Sequence, residues 1–426
     1  MSTPNFSEKP MRVGIISNTY FPDRNGESVA VAALEKALIA KGIEVYLAVP
    51  GVAGVTYPEH ILPMRAVPVL KTVSPDLHLP YGYIKDAIAF FKEKEVDIIH
   101  THNTLMGGME GAYIALKLGI PCVHTYHTDI ESYNYWDIVP TSRIQGRNII
   151  KIVLNSHDHV IALSSKMQKY LLLLGIQTPI TRSHNVPLLD NIQPQPVADL
   201  ELAAKLNISP TDIVVLTHGR VAEEKGIEVG IDVMAEVMLR NPHVKYLIAG
   251  IGVQKYIDEL KVDIEQRGLT GRFIFSGPFA ASDLGSLASV SHIYLNTSTT
   301  ENHPTTPLEA MHLGLASVFI NDLAFDYIAE DGVNSFVGKK QDLPSLISLL
   351  VQNETLRKTM ANAAKNSAKE YCSHDYAQDH ITIYKAVIER FWEQQDKIAE
   401  TKLKNKKELI ELFTKPFKQV GDLLDL

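Results

Sequence analysis

Two short segments of this 426-residue chain combine residue types suited to holding anions and hydroxyls. The first is Thr217-His218-Gly219-Arg220-Val221-Ala222-Glu223-Glu224-Lys225-Gly226, where an apolar run ends in a glycine and two cations bracket a short loop. Arg220 can fork onto two phosphate oxygens, and Lys225 adds a compact point charge. A helix starting after Lys225 would turn its free N–H groups toward the same anion. The competing reading is a solvated loop with Arg220 paired to Glu223 or Glu224. The second segment is Thr299-Thr300-Glu301-Asn302-His303-Pro304-Thr305-Thr306-Pro307-Leu308-Glu309-Ala310-Met311. Pro307 suits a first helical position with Thr306 as its cap, which puts Glu309 in the first turn and Glu301 in the loop before it. Two such carboxylates can bind hydroxyls of a sugar and a ribose. The turn of Asn302, His303, Thr305 and Thr306 offers backbone N–H groups to phosphate. Alternatively, Glu309 only complements the helix dipole.

The surrounding pattern shows what must position these segments. Residues 12–17 form a short apolar run that suits a buried parallel strand, 28–40 an Ala- and Leu-rich helix stopped by Gly42, and 43–49 the next strand. Strands at 96–100, 122–125 and 160–163 then alternate with helices at 83–93, 107–118 and 144–154. A second series places strands at 213–217, 245–249, 273–275, 293–295 and 317–320, with helices at 226–239, 256–267, 344–351, 356–371 and 376–395. Repeated strand, loop, helix order predicts an α/β fold of two parallel sheets covered by helices on both faces. In such sheets ligands sit beyond the carboxyl ends of the strands, where both segments lie. The expected domains are 1–183, a linker at 184–199 containing Pro187, Pro194 and Pro196, and a second domain at 200–373. A helix at 374–395 and a tail at 396–426 follow.

Composition removes several function classes. A net charge of -8 argues against general attraction to nucleic-acid phosphates. The only cysteines, Cys122 and Cys372, are far apart, which excludes a disulfide framework and a structural zinc site. The first ten residues are polar and no apolar run reaches the roughly 18 residues of a spanning helix, so a cytoplasmic location is expected. His100, His102, His124 and His127 look like a metal set but fall on two strand ends, and no Asp-x-Asp occurs. The expectation is therefore no metal. Gly14 stands alone after the first strand, which disfavours a dinucleotide-binding dehydrogenase. In the tail, Lys402, Lys404, Lys406 and Lys407 accompany Leu403, Leu409, Ile410, Leu412 and Phe413 at roughly helical spacing. That stripe fits a membrane surface, a domain or a second subunit, while Glu408, Glu411 and Pro416 work against an anchoring helix.

In combination these motifs resemble the retaining glycosyltransferases of family four. Gly219-Arg220 with Lys225 five residues on, followed by Glu301 and Glu309 in Glu-x7-Glu-Ala-Met, carries most of the resemblance. Thr19-Tyr20-Phe21-Pro22-Asp23-Arg24-Asn25-Gly26, Asp97-Ile98-Ile99-His100-Thr101-His102 and Pro121-Cys122-Val123-His124-Thr125-Tyr126-His127-Thr128-Asp129 agree in order and spacing. The resemblance implies the GT-B fold, two Rossmann-like domains facing across a cleft, with the last helix returning to the first domain. It assigns Arg220 and Lys225 to the donor diphosphate, with Gly219 allowing close backbone approach. Glu309 falls to the ribose, Glu301 and His127 to the transferred sugar, Gly26 to the donor and acceptor approach, and Gly277, Pro278 and Phe279 to the nucleobase. The chain departs from the family at His303-Pro304, where Phe-Gly is usual, at Glu27 after Gly26, and at His184-Asn185-Val186-Pro187.

The implied activity is transfer of a glucose- or N-acetylglucosamine-type unit from a UDP-sugar to an acceptor hydroxyl with retention, without a cofactor. The acceptor would be a membrane glycerolipid or a cell-surface glycan precursor. The first loop and the segment around His127 look most like enzymes that glucosylate diacylglycerol, which are peripheral proteins of the inner membrane face. A non-catalytic sugar-nucleotide-binding subunit and a nucleotide-sugar epimerase are the alternatives. The presence of Arg220, Lys225, Glu301 and Glu309 together favours an active enzyme. Self-association is left open.

Overall fold

A computed structural model describes residues 9–22, 26–68, 78–104, 106–127, 143–183, 189, 192–195, 197–302 and 305–393. The basic tail and the pair His303-Pro304 lie outside the described residues. Two compact units divide the chain, Met1–Asn185 with Asp375–Leu426, and Val186–His374.

The first unit holds β1 (Arg12–Ile16), β2 (Glu44–Pro50), β3 (Ile61–Met64), β4 (Ala66–Pro68), β5 (His78–Pro80), β6 (Ile98–Thr101), β7 (Cys122–Tyr126), β8 (His159–Ala162) and β9 (Ile180–Arg182). Seven of these pair in parallel in the order β3-β2-β1-β6-β7-β8-β9, and β4 and β5 form a small antiparallel pair. The helix Tyr376–Glu393 packs on this sheet through a 2.7 Å hydrogen bond between Tyr384 Oη and His100 Nδ1. The Arg390 guanidinium adds a donor to the Asp158 carbonyl at 2.7 Å.

The second unit holds β10 (Ile213–His218), β11 (Val244–Ala249), β12 (Phe273–Gly277), β13 (Ile293–Asn296), β14 (Ala316–Ile320) and β15 (Ser335–Gly338). They form one parallel sheet in the order β12-β11-β10-β13-β14-β15. Alternation along each strand feeds two cores. Val215, Tyr246, Ile248, Ile293 and Leu295 are buried on one face. Their neighbours Val214, Leu216, Leu247, Ala249 and Tyr294 are buried on the other. A strand buried on both faces must read as a continuous apolar run, and Ile213-Val214-Val215-Leu216 does. Leu189 and Ile192, inside the expected linker, are buried in this second core. Their spacing is too short to show helical or strand periodicity in the sequence.

Most expected elements are present within one or two residues. Strands β3, β4, β5, β9 and β15 and the helices Ser165–Leu174, Leu200–Lys205 and Leu284–Ser289 were not expected. The strands are only three or four residues long, too few to carry a periodic signal. Strand order reverses between β1 and β6 in the first unit and between β10 and β13 in the second. Such reversals open the crevices in which parallel sheets bind ligands. The two chemistry-bearing segments are the loops after β10 and β13. Among the described residues, no helix is long and apolar enough to cross a membrane.

Candidate active site

In the second unit the loop after β10 is short and shaped by glycines. Gly219 and Gly250 end adjacent strands with φ of 127° and 154°, and a Cβ on Gly250 would lie 1.6 Å from the Gly219 carbonyl oxygen. That approach requires glycine at 250, and the positive φ favours glycine at 219. The chain continues through Arg220 into a 3-10 turn, Glu223–Lys225, and then Gly226 in the left-handed region before the helix Ile227–Arg240. A side chain at Gly226 would meet the Thr297 carbonyl oxygen at 2.5 Å.

That turn is tied to the loop after β13 by hydroxyls. Thr297 donates to the Gly226 carbonyl at 2.8 Å, and Thr300 donates to the Glu224 carbonyl at 2.8 Å. Ser298 adds a 3.3 Å bond to the same Glu224 oxygen. The consequence is that Lys225 and Glu301 meet, with Nζ 2.8 Å from Oε1. Glu301 is buried, so this pair is shielded from solvent far more than a surface pair would be. Arg220 bonds Glu224 at 2.8 Å, and its side chain is 56% exposed. An exposed pair of this kind contributes only about 0–1 kcal/mol, so an incoming phosphate can displace it. The solvated-loop pairing and an anion-binding role are thus compatible.

Glu309 differs from expectation. The helix spans Thr305–His312, so Thr306 lies within it rather than capping it, and Glu309 falls beyond the first turn. Its carboxylate is aligned by His218 at the end of β10, with Nε2 to Oε2 at 2.9 Å, and not by the helix terminus. Thr306 accepts from the Tyr294 hydroxyl at 3.1 Å. His218, Gly219, Arg220, Lys225, Glu301 and Thr306 line one cavity of about 70 Å³. Glu309 reaches that wall through His218. Gly277, with φ of 74°, ends β12, and the Phe279 ring stands edge-on to His218 at 6.3 Å. Asn302 is buried beside Glu301 in sequence, and Thr305 is the first helical residue.

The first unit presents His127 just past β7. Its Nε2 lies 2.8 Å from Nδ1 of His102. The other histidines are held by hydroxyls. His100 bonds Tyr384 and Thr125, both at 2.7 Å, and His124 bonds Thr101 at 2.7 Å and Thr104 at 3.0 Å. Burial, then the neighbouring imidazoles, holds His100, His102 and His124 well below the ordinary histidine range, so they are neutral. Among the described residues no three His, Cys, Asp or Glu side chains converge as a metal site would require. Gly26 opens the helix Gly26–Ala40, and a Cβ there would meet nothing within 4 Å.

Known families cover most of this chain. Residues 24–186 match the family described as Glycosyltransferase Family 4, and residues 199–367 match Glycosyl transferases group 1. The chain belongs to glycosyltransferase family four. Its two parallel-sheet units are those of the GT-B fold. Among curated relatives, the alpha-monoglucosyldiacylglycerol synthase of Acholeplasma laidlawii is 24% identical over 401 residues, covering 89% of this chain and 98% of that protein. The enzyme of the same name from Streptococcus pneumoniae is 25% identical over 336 residues, 74% of each chain. Among solved structures, HepE of Anabaena in complex with UDP and glucose superposes with a TM-score of 0.69 at 19% identity, over 88% of this chain and 99% of that one.

Within this glycosyltransferase the structure gathers Gly219, Arg220, Lys225, Glu301, Thr306 and Glu309 around the β10/β13 reversal. Phe279 joins them through His218. In the other unit His127 stands just past β7 and Gly26 at the start of the helix Gly26–Ala40. His303 is outside the described residues. His218 was overlooked in the sequence although it adjoins Gly219. The only local signal was a histidine ending an otherwise apolar strand.

Proposed function

We propose that the enzyme moves a hexosyl unit, glucose first among candidates, from a UDP-sugar to a lipid hydroxyl with retention of configuration. The observation that carries this reading is the convergence of Arg220, Lys225, Glu301 and the His218–Glu309 pair on the carboxyl ends of β10 and β13. In this reading the two cations take the charge that grows on the diphosphate as the glycosidic bond breaks. Glu301 and His127 bind the transferred sugar, Glu309 binds the ribose hydroxyls, and Gly277, Pro278 and Phe279 border the base. Glu301 is engaged by Lys225 and Glu309 by His218, and neither is assigned as a nucleophile. The acceptor oxygen then attacks on the face that the diphosphate leaves, and a departing phosphate oxygen takes the acceptor proton.

The HepE complex supports UDP and glucose as the donor parts, and the two monoglucosyldiacylglycerol synthases support a diacylglycerol acceptor. Such an acceptor places the enzyme at the inner face of the cell membrane, with the basic tail as a candidate contact. The test is turnover of UDP-glucose, UDP-N-acetylglucosamine and GDP-mannose, with and without diacylglycerol in mixed micelles. UDP-glucose should be consumed faster with diacylglycerol and give an α-linked product by proton NMR. A β-linked product would refute retention, and a preference for GDP-mannose would refute the donor assignment.

A further inference from the structure

His218 ends β10 with its side chain only 2% exposed, and its Nε2 lies 2.9 Å from Glu309 Oε2. A carboxylate oxygen only accepts, so Nε2 carries the hydrogen of this bond, and Nδ1 is the other polar atom of the ring. That Nδ1 is buried and meets no hydrogen-bond partner among the described residues. A ring with one nitrogen satisfied and one orphaned is held at this position by its bond to Glu309 and its aromatic neighbours. Tyr294 lies at 5.2 Å between ring centroids and Phe279 at 6.3 Å. Glu309 is partly buried, and among the described residues no hydrogen bond takes its Oε1. One carboxylate oxygen is therefore fixed and the other is left for an incoming donor.

We propose that His218 is a positioning residue that presets Glu309 for the two ribose hydroxyls of the nucleotide and, through Phe279, links that carboxylate to the base-binding turn. The proposal rests on the reading of Glu309 as the ribose ligand. A glutamate has three rotatable side-chain bonds, and an unsupported carboxylate must be ordered each time a diol binds. The bond from His218 supplies that order before the nucleotide arrives. It acts on ribose capture and leaves the diphosphate contacts of Arg220 and Lys225 untouched.

The experiment measures binding of UDP and of 2′,3′-dideoxy-UDP by calorimetry to the full chain and to variants. Wild type should prefer UDP. His218→Ala should weaken UDP by about tenfold, the scale of one hydrogen bond to a charged group, and leave the dideoxy nucleotide unchanged. His218→Ala/Glu309→Ala should bind UDP no worse than Glu309→Ala alone. A second pair separates positioning from packing. His218→Gln sets an amide donor near the place of Nε2 and should keep the preference, whereas His218→Asn sets it near Nδ1 and should lose it. Equal weakening of both nucleotides by His218→Ala, or equal behaviour of the Gln and Asn variants, would overturn the proposal. If wild type and Glu309→Ala bind both nucleotides alike, the ribose reading of Glu309 itself fails, which is a different result from either.

Discussion

At the scale of single residues, the cations proposed to meet the diphosphate are already partnered. Lys225 is held by buried Glu301, and Arg220 by Glu224 in an exposed pair. The two pairings have different consequences. A solvated guanidinium exchanges partners readily, whereas a shielded lysine keeps its position and in the proposed role would meet the diphosphate charge without reorganising. Arg220→Ala and Lys225→Ala are each expected to lower kcat/KM by roughly 10²-fold or more. Steady-state rates with UDP-glucose check this, and near-normal turnover in both variants would remove the proposed diphosphate site.

At the scale of elements, the β10/β13 reversal is pinned by a histidine that no motif singles out. The His292 amide donates to the Val214 carbonyl at 2.8 Å, and its Nδ1 accepts from the Val214 amide at 3.2 Å. Protonation of Nδ1 would destroy that acceptor. Burial, then the charge of Arg357, lowers the His292 pKa to about 4. The unfolded chain, with a value near 6.5, takes up the proton first as pH falls. The contribution of neutral His292 is thus fully present above about pH 6.5 and is lost as pH falls toward 4, by up to about 3 kcal/mol. His292→Asn keeps an acceptor near Nδ1 without titrating. Urea denaturation of both proteins from pH 7.5 to 4.5 should show wild type losing stability relative to the variant. Other titrating groups, such as Glu110, which burial raises to about 7, cancel in that comparison. A difference that stays flat with pH would contradict the assignment.

At the scale of the molecule, every proposed donor contact lies upstream of residue 397. Removing 397–426 should therefore leave UDP affinity within about twofold of wild type, a change below ~0.5 kcal/mol. Calorimetry on the truncated chain measures this, and a larger loss would assign the tail a role in the donor site. In the proposed reading Arg220 and Lys225 supply the positive charge for which other transferases use a divalent ion. Turnover is expected to persist in excess chelator. Full loss on chelation, restored by Mg²⁺ or Mn²⁺, would mean that a metal shares the work of these cations.

Much of this architecture was readable from local pattern. The short apolar runs within β1, β10 and β11 and the helices stopped by Gly42 and Gly119 depend on neighbours a few residues away, so periodicity and turn chemistry reveal them. The order of the motifs, Arg220 and Lys225 after one strand and Glu301 and Glu309 after another, likewise needs no coordinates. The local pair of Arg220 with Glu224 was legible too, whereas the tertiary structure alone decided which charges meet across the two segments. Lys225 and Glu301 are 76 residues apart and touch because β10 and β13 are neighbours in the sheet and hydroxyls of Thr297 and Thr300 tie their loops together. Glu309 is 91 residues from His218, and the two meet because the helix Thr305–His312 follows β13, which pairs with β10. Strand adjacency is set by packing over the whole sheet, and no window of sequence contains it.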